Sequence, residues 1–251
     1  MNIANGGTVW GNEILIGHNT KDWYYQLGVQ DSVNTNKIHF VTSPHPDSRL
    51  NSRQWHAYFD TDTDTWHDSS GTDITANVPF DDTDGTQIMQ VTDPVQSWIE
   101  DIALDTNGYP RVLLTYYPNY ADKKKKYLYY SEWNGSAWTT PYQIHQSCNK
   151  NIGLDAIVAS YAPLASFDPL DADRIICSKE ISDGGQLELY ELTRVAYNNF
   201  TSSRLTTTSA SLEDQWRPFI VPSANYNTIW LSIKTYKFYG AFLQDLKCAT
   251  F

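Results

Sequence analysis

What this 251-residue chain has little of narrows its function before any motif is considered. Positive charge is scarce: 18 Lys and Arg stand against 29 Asp and Glu, a formal net charge of -11. Long-range repulsion then opposes encounter with phosphate backbones and anionic membrane surfaces, so nucleic acid is not an expected partner. Cysteine is scarcer still. Cys148, Cys177 and Cys248 are too few, and odd in number, for a disulfide framework. Cys177 and Cys248 fall in apolar strand-like runs, where a thiol packs as a small hydrophobe. No apolar run is long enough to span a bilayer, and the N-terminal MNIANGGTVW has neither the positive start nor the apolar stretch of a secretory leader. Membrane insertion is not expected, and localisation stays open. No P-loop, HExxH, GxSxG, paired CxxC or Rossmann glycine fingerprint is present, which removes most cofactor and metal enzymes. The acidic run Asp60-Thr61-Asp62-Thr63-Asp64 has the alternation of a calcium loop but not its turn glycine or its closing glutamate, and reads as a hairpin turn rich in acceptors. No cofactor is expected, calcium at that run being the remaining alternative.

What is there points to strands. Aromatics make up 14% of the chain, with 17 Tyr and 9 Trp, while charged residues make up only 19%. Thr, Ser, Asn and Asp therefore carry the polar surface, a profile that suits strands and turns better than helices. The clearest unit runs from Ile99 to Ile144: IEDIALD, a DTNGYP turn, PRVLLTYY, a lysine loop, KYLYYSEW, an NGS turn and AWTTPYQI. Four strands joined by hairpins make one antiparallel sheet, with Asn107-Gly108 and Asn134-Gly135 supplying the positive φ of tight turns. That is the content of a propeller blade. A second copy reads WYYQLGVQ, NKIHFVTS, RQWHAYFD and DTWHDSS. A third reads APLASFDP, RIICSKE, QLELYELTRV and SRLTTT, and a fourth begins with WRPFIVPS, TIWLSIK and AFLQDLKCATF. In the second copy Trp55, Ala57 and Phe59 point one way and His56 and Tyr58 the other. Both faces carry large side chains, as a sheet packed between neighbours requires. The basic run Lys123 to Lys126 falls at a hairpin tip, either solvated or docking an acidic glycan.

The fourth copy lacks a strand that the N-terminus can supply. Written end to end, FLQDLKCATF and MNIANGGTVWGNEILIG match YLYYSEWNGSAWTTPYQIH, with Gly7 to Trp10 standing against Gly135 to Trp138. The N-terminal segment is thus expected to form the outer strand of the last blade, which closes the ring and leaves no free edge. The expectation is a single all-β domain over residues 1–251, a small β-propeller of four blades, with room for a fifth between Thr72 and Ser97.

From about Lys37 to Tyr239 the chain resembles the BNR-4 type of carbohydrate-active propellers, which includes polysaccharide lyases and rhamnosidase-like glycosidases. The matching segments are KIHFVTSPHP, QWHAYFD, SWIEDIALDTNGYPRVLLTYY, YLYYSEWNGSAW, the YAPLASFDPLDADRIICSKE block, WRPF and WLSIKTYKFY. The resemblance implies a propeller acting on or binding a polysaccharide. Members are usually larger, seven-bladed rings, and their His-rich HDDHNN-like segment, associated with catalysis, has no counterpart here. Lys179 stands where the family tends to place Arg, and Ala162-Pro163 where it tends to have Ser-Gly. The resemblance therefore supports recognition of a sugar more than its cleavage.

Candidate site residues fall near the expected inner strands. His45, in Ser43-Pro44-His45-Pro46, sits in a rigid loop that can hold an imidazole for proton transfer or for a hydrogen bond to a hydroxyl; its family counterpart also lies in a His-Pro turn. Arg217, in Trp216-Arg217-Pro218, matches the family's Arg-Pro and is positioned to grip a uronate carboxylate through paired hydrogen bonds, or to form a structural ion pair with a neighbouring blade. Tyr236 and Tyr239 offer a stacking platform or a phenolic acid or base. Trp98 and Asp101 offer an aromatic face and an acceptor, and Lys179 and Glu180 end another strand of the inner region. His39 and His56 are expected to pack between blades, while His18, His67 and His145 have no distinguishing context.

Two functions follow. One is a noncatalytic glycan-binding module, such as the receptor-binding domain of a phage tail fibre or surface adhesin, which would place it on a virion or cell surface. The other is a polysaccharide lyase or glycosidase acting on uronate-containing glycans, with His45, Arg217, Tyr236 and Tyr239 as its catalytic set. A protein-interaction propeller uses the same scaffold, because fold alone does not specify function.

Overall fold

The computed structural model describes residues 23–44, 52–78, 80, 84–91, 96–118, 126–148, 165–181, 187–207, 214–220, 228–238 and 241–249. Sixteen strands in these segments form four antiparallel sheets. β1 (Trp23–Gln30), β2 (Lys37–Pro44), β3 (Ser52–Asp60) and β4 (Thr65–Asp68) follow one another across the first. β6 (Gln96–Leu104), β7 (Pro110–Tyr117), β8 (Lys126–Glu132) and β9 (Tyr142–Cys148) make the second. β10 (Ala165–Asp168), β11 (Asp171–Glu180), β12 (Leu187–Ala196) and β13 (Asn199–Arg204) make the third. β14 (Asp214–Ile220), β15 (Thr228–Phe238) and β16 (Ala241–Ala249) make the fourth. The stretch with room for a fifth blade instead holds a 3-10 turn at Thr75–Asn77 and β5 (Thr86–Val91). β5 pairs with the half of β3 that β4 leaves open, so the two short strands together form the outer edge of the first sheet. The N-terminal segment expected to complete the last blade lies outside the described residues.

Each sheet puts its first strand innermost: β6 packs beside β1 and β10, and β10 beside β14. This radial stacking of up-and-down sheets is a β-propeller. The two-residue period of β7 shows why the stacking is stable. Val112 and Leu114 pack against Val41 and Ile88 of the first sheet, while Leu113 packs against Ala165, Phe167 and Ile175 of the third. A strand buried on both faces needs apolar side chains at successive positions, and PRVLLTYY supplies them. In β3 the two faces divide as the sequence predicts. Trp55 and Ala57 join Trp66 and Phe80 on one side, and His56 and Tyr58 meet His39 or its neighbours on the other.

Turn chemistry holds the sheets in register. Asp60 accepts from the Asp62 N–H (2.9 Å) and from the Asn36 amide (3.0 Å), and Asp64 takes a positive φ of 54°, so the acidic run forms the β3–β4 hairpin. Gly108 has φ +80° in the β6–β7 turn, and a Cβ there would come within 2.8 Å of Asp31 Oδ2 in the β1–β2 turn. Its lack of a side chain therefore serves both the turn and the contact between sheets. One expectation shifts. Lys126 is no part of a wet hairpin tip but begins β8, fully buried, with its ammonium 5.6 Å from the centre of the Tyr117 ring. Lys123 to Lys125 lie outside the described residues. Cys177 is buried, and burial pushes its thiol up to about 12, so it is inert as a nucleophile.

Candidate functional site

The up-and-down order gives every sheet the same polarity. Inner strands begin, and second strands end, at one face of the ring. Registers place the sequence candidates there: Trp98 opposite Thr115, Lys179 and Glu180 at the end of β11, and Tyr236 opposite Phe242 near the end of β15. Arg217 lies within β14, and His45 follows directly on β2 but lies outside the described residues, as does Tyr239. For Trp98, Arg217 and Tyr236 the placement is one of backbone.

Three inner strands carry a register irregularity beside a tryptophan. β1 slips register between Trp23 and Tyr25, β6 between Ile99 and Asp101, and β14 between Trp216 and Phe219. Each irregularity follows a tryptophan within two positions, in WYY, WIED and WRPF. Tyr24, Glu100 and the Arg217-Pro218 pair are thus the positions that the ladder register skips. Pro218 has no N–H to give a ladder, which suits a bulge. Bulges re-aim side chains and recur beside active sites. Register also shifts in β10 between Phe167 and Asp168, and in the β3–β5, β8–β9, β12–β13 and β15–β16 pairs. Glu100 also accepts a hydrogen bond from the Thr115 hydroxyl.

Asp101 is committed between sheets. Its Oδ2 accepts from the Phe167 N–H (2.8 Å) and the Ser166 hydroxyl (3.0 Å) of β10, and its Oδ1 from the Ile102 N–H (2.8 Å). Burial outweighs these bonds and lifts its carboxyl to about 6. Lys179 lies with its ammonium 4.8 Å from the centre of the Tyr190 ring, which in turn stacks on His145. Burial, with the Lys179 charge adding to it, pushes His145 down to about 4. Opposite Lys179, Glu188 is wholly buried and binds Arg204 (3.0 Å) and the Thr206 hydroxyl. The structure thus gathers Lys179 with His145 and Tyr190 where β9 meets the third sheet, and joins Asp101 to β10.

Two polar assemblies had no signal in the sequence because their members are far apart along it. At the opposite face, Arg111 and Arg194 share Glu132 and Asp173 across the second and third sheets. Arg111 also lies 3.6 Å from Asp105. The other assembly is a line of hydrogen bonds. Trp138 Nε1–H donates to Ser69 Oγ (2.9 Å), Ser69 Oγ lies 2.8 Å from His56 Nδ1, and His56 Nε2 lies 3.0 Å from His39 Nδ1. His39 Nε2 faces Asp31 Oδ2 at 3.8 Å. Run toward the carboxylate, the line has the Ser69 hydroxyl donating to His56 Nδ1, His56 donating from Nε2 to His39 Nδ1, and the His39 proton on Nε2 facing Asp31; the reverse order, with Ser69 accepting from both the indole and His56, would turn the bare Nε2 of His39 toward that carboxylate. Both imidazoles are then neutral. Burial agrees, pushing His39 down to about 4 and His56 well below its ordinary value.

The sequence profile of a family described as BNR repeat-containing family member matches residues 4–145. Comparison with curated proteins finds no match. Among solved structures the chain is similar to a polysaccharide lyase of family PL25, an ulvan lyase, with a TM-score of 0.60 at 12% identity. It is similar to a PL25 ulvan lyase bound to -[GlcA(1-4)Rha3S]- with a TM-score of 0.60 at 13% identity. Each alignment covers 99% of this chain and 57% of the lyase, so the chain spans little more than half the length of those enzymes. A GH43 endo-arabinanase from Bacillus licheniformis aligns with a TM-score of 0.43 at 9% identity, covering 90% of this chain and 73% of that one. At these identities the likeness to the lyases is one of fold.

Proposed function

The chain belongs to the BNR repeat-containing family, and on that premise we propose that it is a glycan-recognising β-propeller, a receptor-binding module of the kind carried by a phage tail fibre or surface adhesin. The observation that supports this reading is that the backbones of Trp98, Lys179, Glu180 and Tyr236 lie toward one face of the ring, with Arg217 at a register shift within the inner strand β14. An arginine there supplies paired donors for a carboxylate or sulfate, and tryptophan and tyrosine supply faces for sugar C–H groups. Recognition is favoured over cleavage because the family's His-rich segment has no counterpart in the sequence, and among the described residues His39, His56 and His145, which are buried, and Asp101, with both oxygens engaged, do not replace it. A proton-transfer group must reach the substrate.

The alternative is a lyase or glycosidase acting on a uronate-containing glycan. The PL25 ulvan lyase bound to a glucuronate–rhamnose sulfate fragment supports it through the shared fold. In that reading Arg217 neutralises the uronate carboxylate and lowers the cost of removing the C5 proton, while His45 or a tyrosine serves as base and acid. One experiment separates the two: incubation with ulvan and other uronate polysaccharides, following both retention of the protein and absorbance of unsaturated products. Retention without an absorbance rise is expected. A sustained rise would establish the lyase reading in its place, and neither signal would remove both.

A further inference from the structure

We propose that a groove between the first and second sheets, at the outer side of the ring, is a second carbohydrate subsite that takes a neutral oligosaccharide. β5 forms one wall and the Trp133 to Pro141 connection between β8 and β9 the other, enclosing about 710 Å³. That lies within the roughly 300–1,000 Å³ of small-molecule sites. β8 ends here, so the groove opens toward the face opposite the one that carries Trp98 and Lys179.

Three observations select the ligand. Trp138 lines the groove half-buried, with its indole N–H fixed on Ser69 and its ring packed edge-on against His56 at 5.5 Å. The line of hydrogen bonds behind it thus holds a hydrophobic platform in one orientation, which lowers the ordering cost of binding. The opposite wall presents Gln87 and Gln90, both exposed, and Thr140 adds an exposed hydroxyl on the near side. Amides and hydroxyls both donate and accept, as vicinal sugar hydroxyls require. Among the described residues no Lys, Arg or His lines the groove, and the one ionisable side chain they bring to it is Asp68. An anionic sugar would find no counter-charge and a carboxylate in its way. Asp68 Oδ1 is itself occupied by the N–H groups of Ser70 and Thr72. A neutral glycan offers C–H faces to the indole and hydroxyls to the rim.

The inference rests on the carbohydrate reading for its class of ligand, and its test separates the two. Tryptophan fluorescence of the full chain is titrated with neutral hexasaccharides of glucose, mannose, galactose and rhamnose, and retention on ulvan is measured alongside. At least one hexasaccharide is expected to change the fluorescence of the wild type. Trp138→Ala should bind it about tenfold more weakly, and so should the double variant Gln87→Ala/Gln90→Ala, whose exposed side chains leave the core untouched. Retention on ulvan should be unchanged in the double variant. If none of the four binds the wild type, or binding survives in the folded double variant, the groove is no subsite, whatever ulvan does. Hexasaccharide binding with no retention on ulvan would leave the groove standing and remove the opposite face as the glycan site.

Discussion

His39 Nδ1 lies 3.0 Å from His56 Nε2, and the two rings stack with 5.2 Å between centroids. A shared hydrogen at that distance requires one nitrogen to donate and the other to accept, so the pair tolerates one proton between those atoms and not two. Protonating either ring would place a charge where burial disfavours it.

Acid is therefore expected to unfold the protein through this pair. His39 has a folded value of about 4 against an unfolded value of 6.5, so the unfolded chain binds the proton first. Stability is full above pH 6.5 and lost as the pH falls from there toward 4, by about 3 kcal/mol for His39 alone. Urea unfolding at successive pH values measures it. In His39→Asn, which keeps an acceptor for His56, that slope should shrink by about one proton. An unchanged slope would show that the pair is not what titrates.

Asp101 works in the opposite sense. Its folded value of about 6 stands above the ordinary carboxyl value of 3.8, so the folded state binds the proton first, and acidification from pH 6 to 4 adds stability. Asp101→Asn places an amide N–H against the N–H of Phe167 and is expected to cost about 2 kcal/mol at pH 7. The gap between wild type and variant should widen as the pH falls to 4, which the same unfolding series reads. A gap that narrows would contradict the buried carboxyl.

Gly108→Ala is expected to destabilise by about 2 kcal/mol or more, because alanine is strained at positive φ and its methyl would strike Asp31. The companion variant Gly71→Ala has the same sign of φ, with its nearest neighbour at 3.7 Å. It should cost only the backbone strain. Equal losses in the two, measured by urea unfolding, would mean that the contact between sheets contributes nothing.

Arg217→Ala should weaken retention on uronate polysaccharides about tenfold or more while leaving the melting temperature within a few degrees, since a bulge residue makes few ladder bonds. A large fall in melting temperature with binding retained would assign Arg217 to a structural ion pair instead.

Strand content, hairpin turns and the repetition of antiparallel sheets were legible in the sequence, because two-residue alternation and Asn-Gly turns act over a few residues. The large side chains on both faces of the Trp55 to Phe59 run announced a sheet packed between neighbours. The roles of Asp101 and Lys126 were not legible, since the N–H of Phe167 and the ring of Tyr117 reach them only once the sheets stack or pair. Nor was the line from Asp31 to Trp138: His39 and His56 lie on neighbouring strands, and Ser69 meets Trp138 across 69 residues. The sequence by itself determined a ring of β-sheets, because its signals are short-range. Only the tertiary structure decided which polar side chains are spent holding sheets together and which remain for a ligand, because a buried polar group is satisfied by whatever the fold brings beside it.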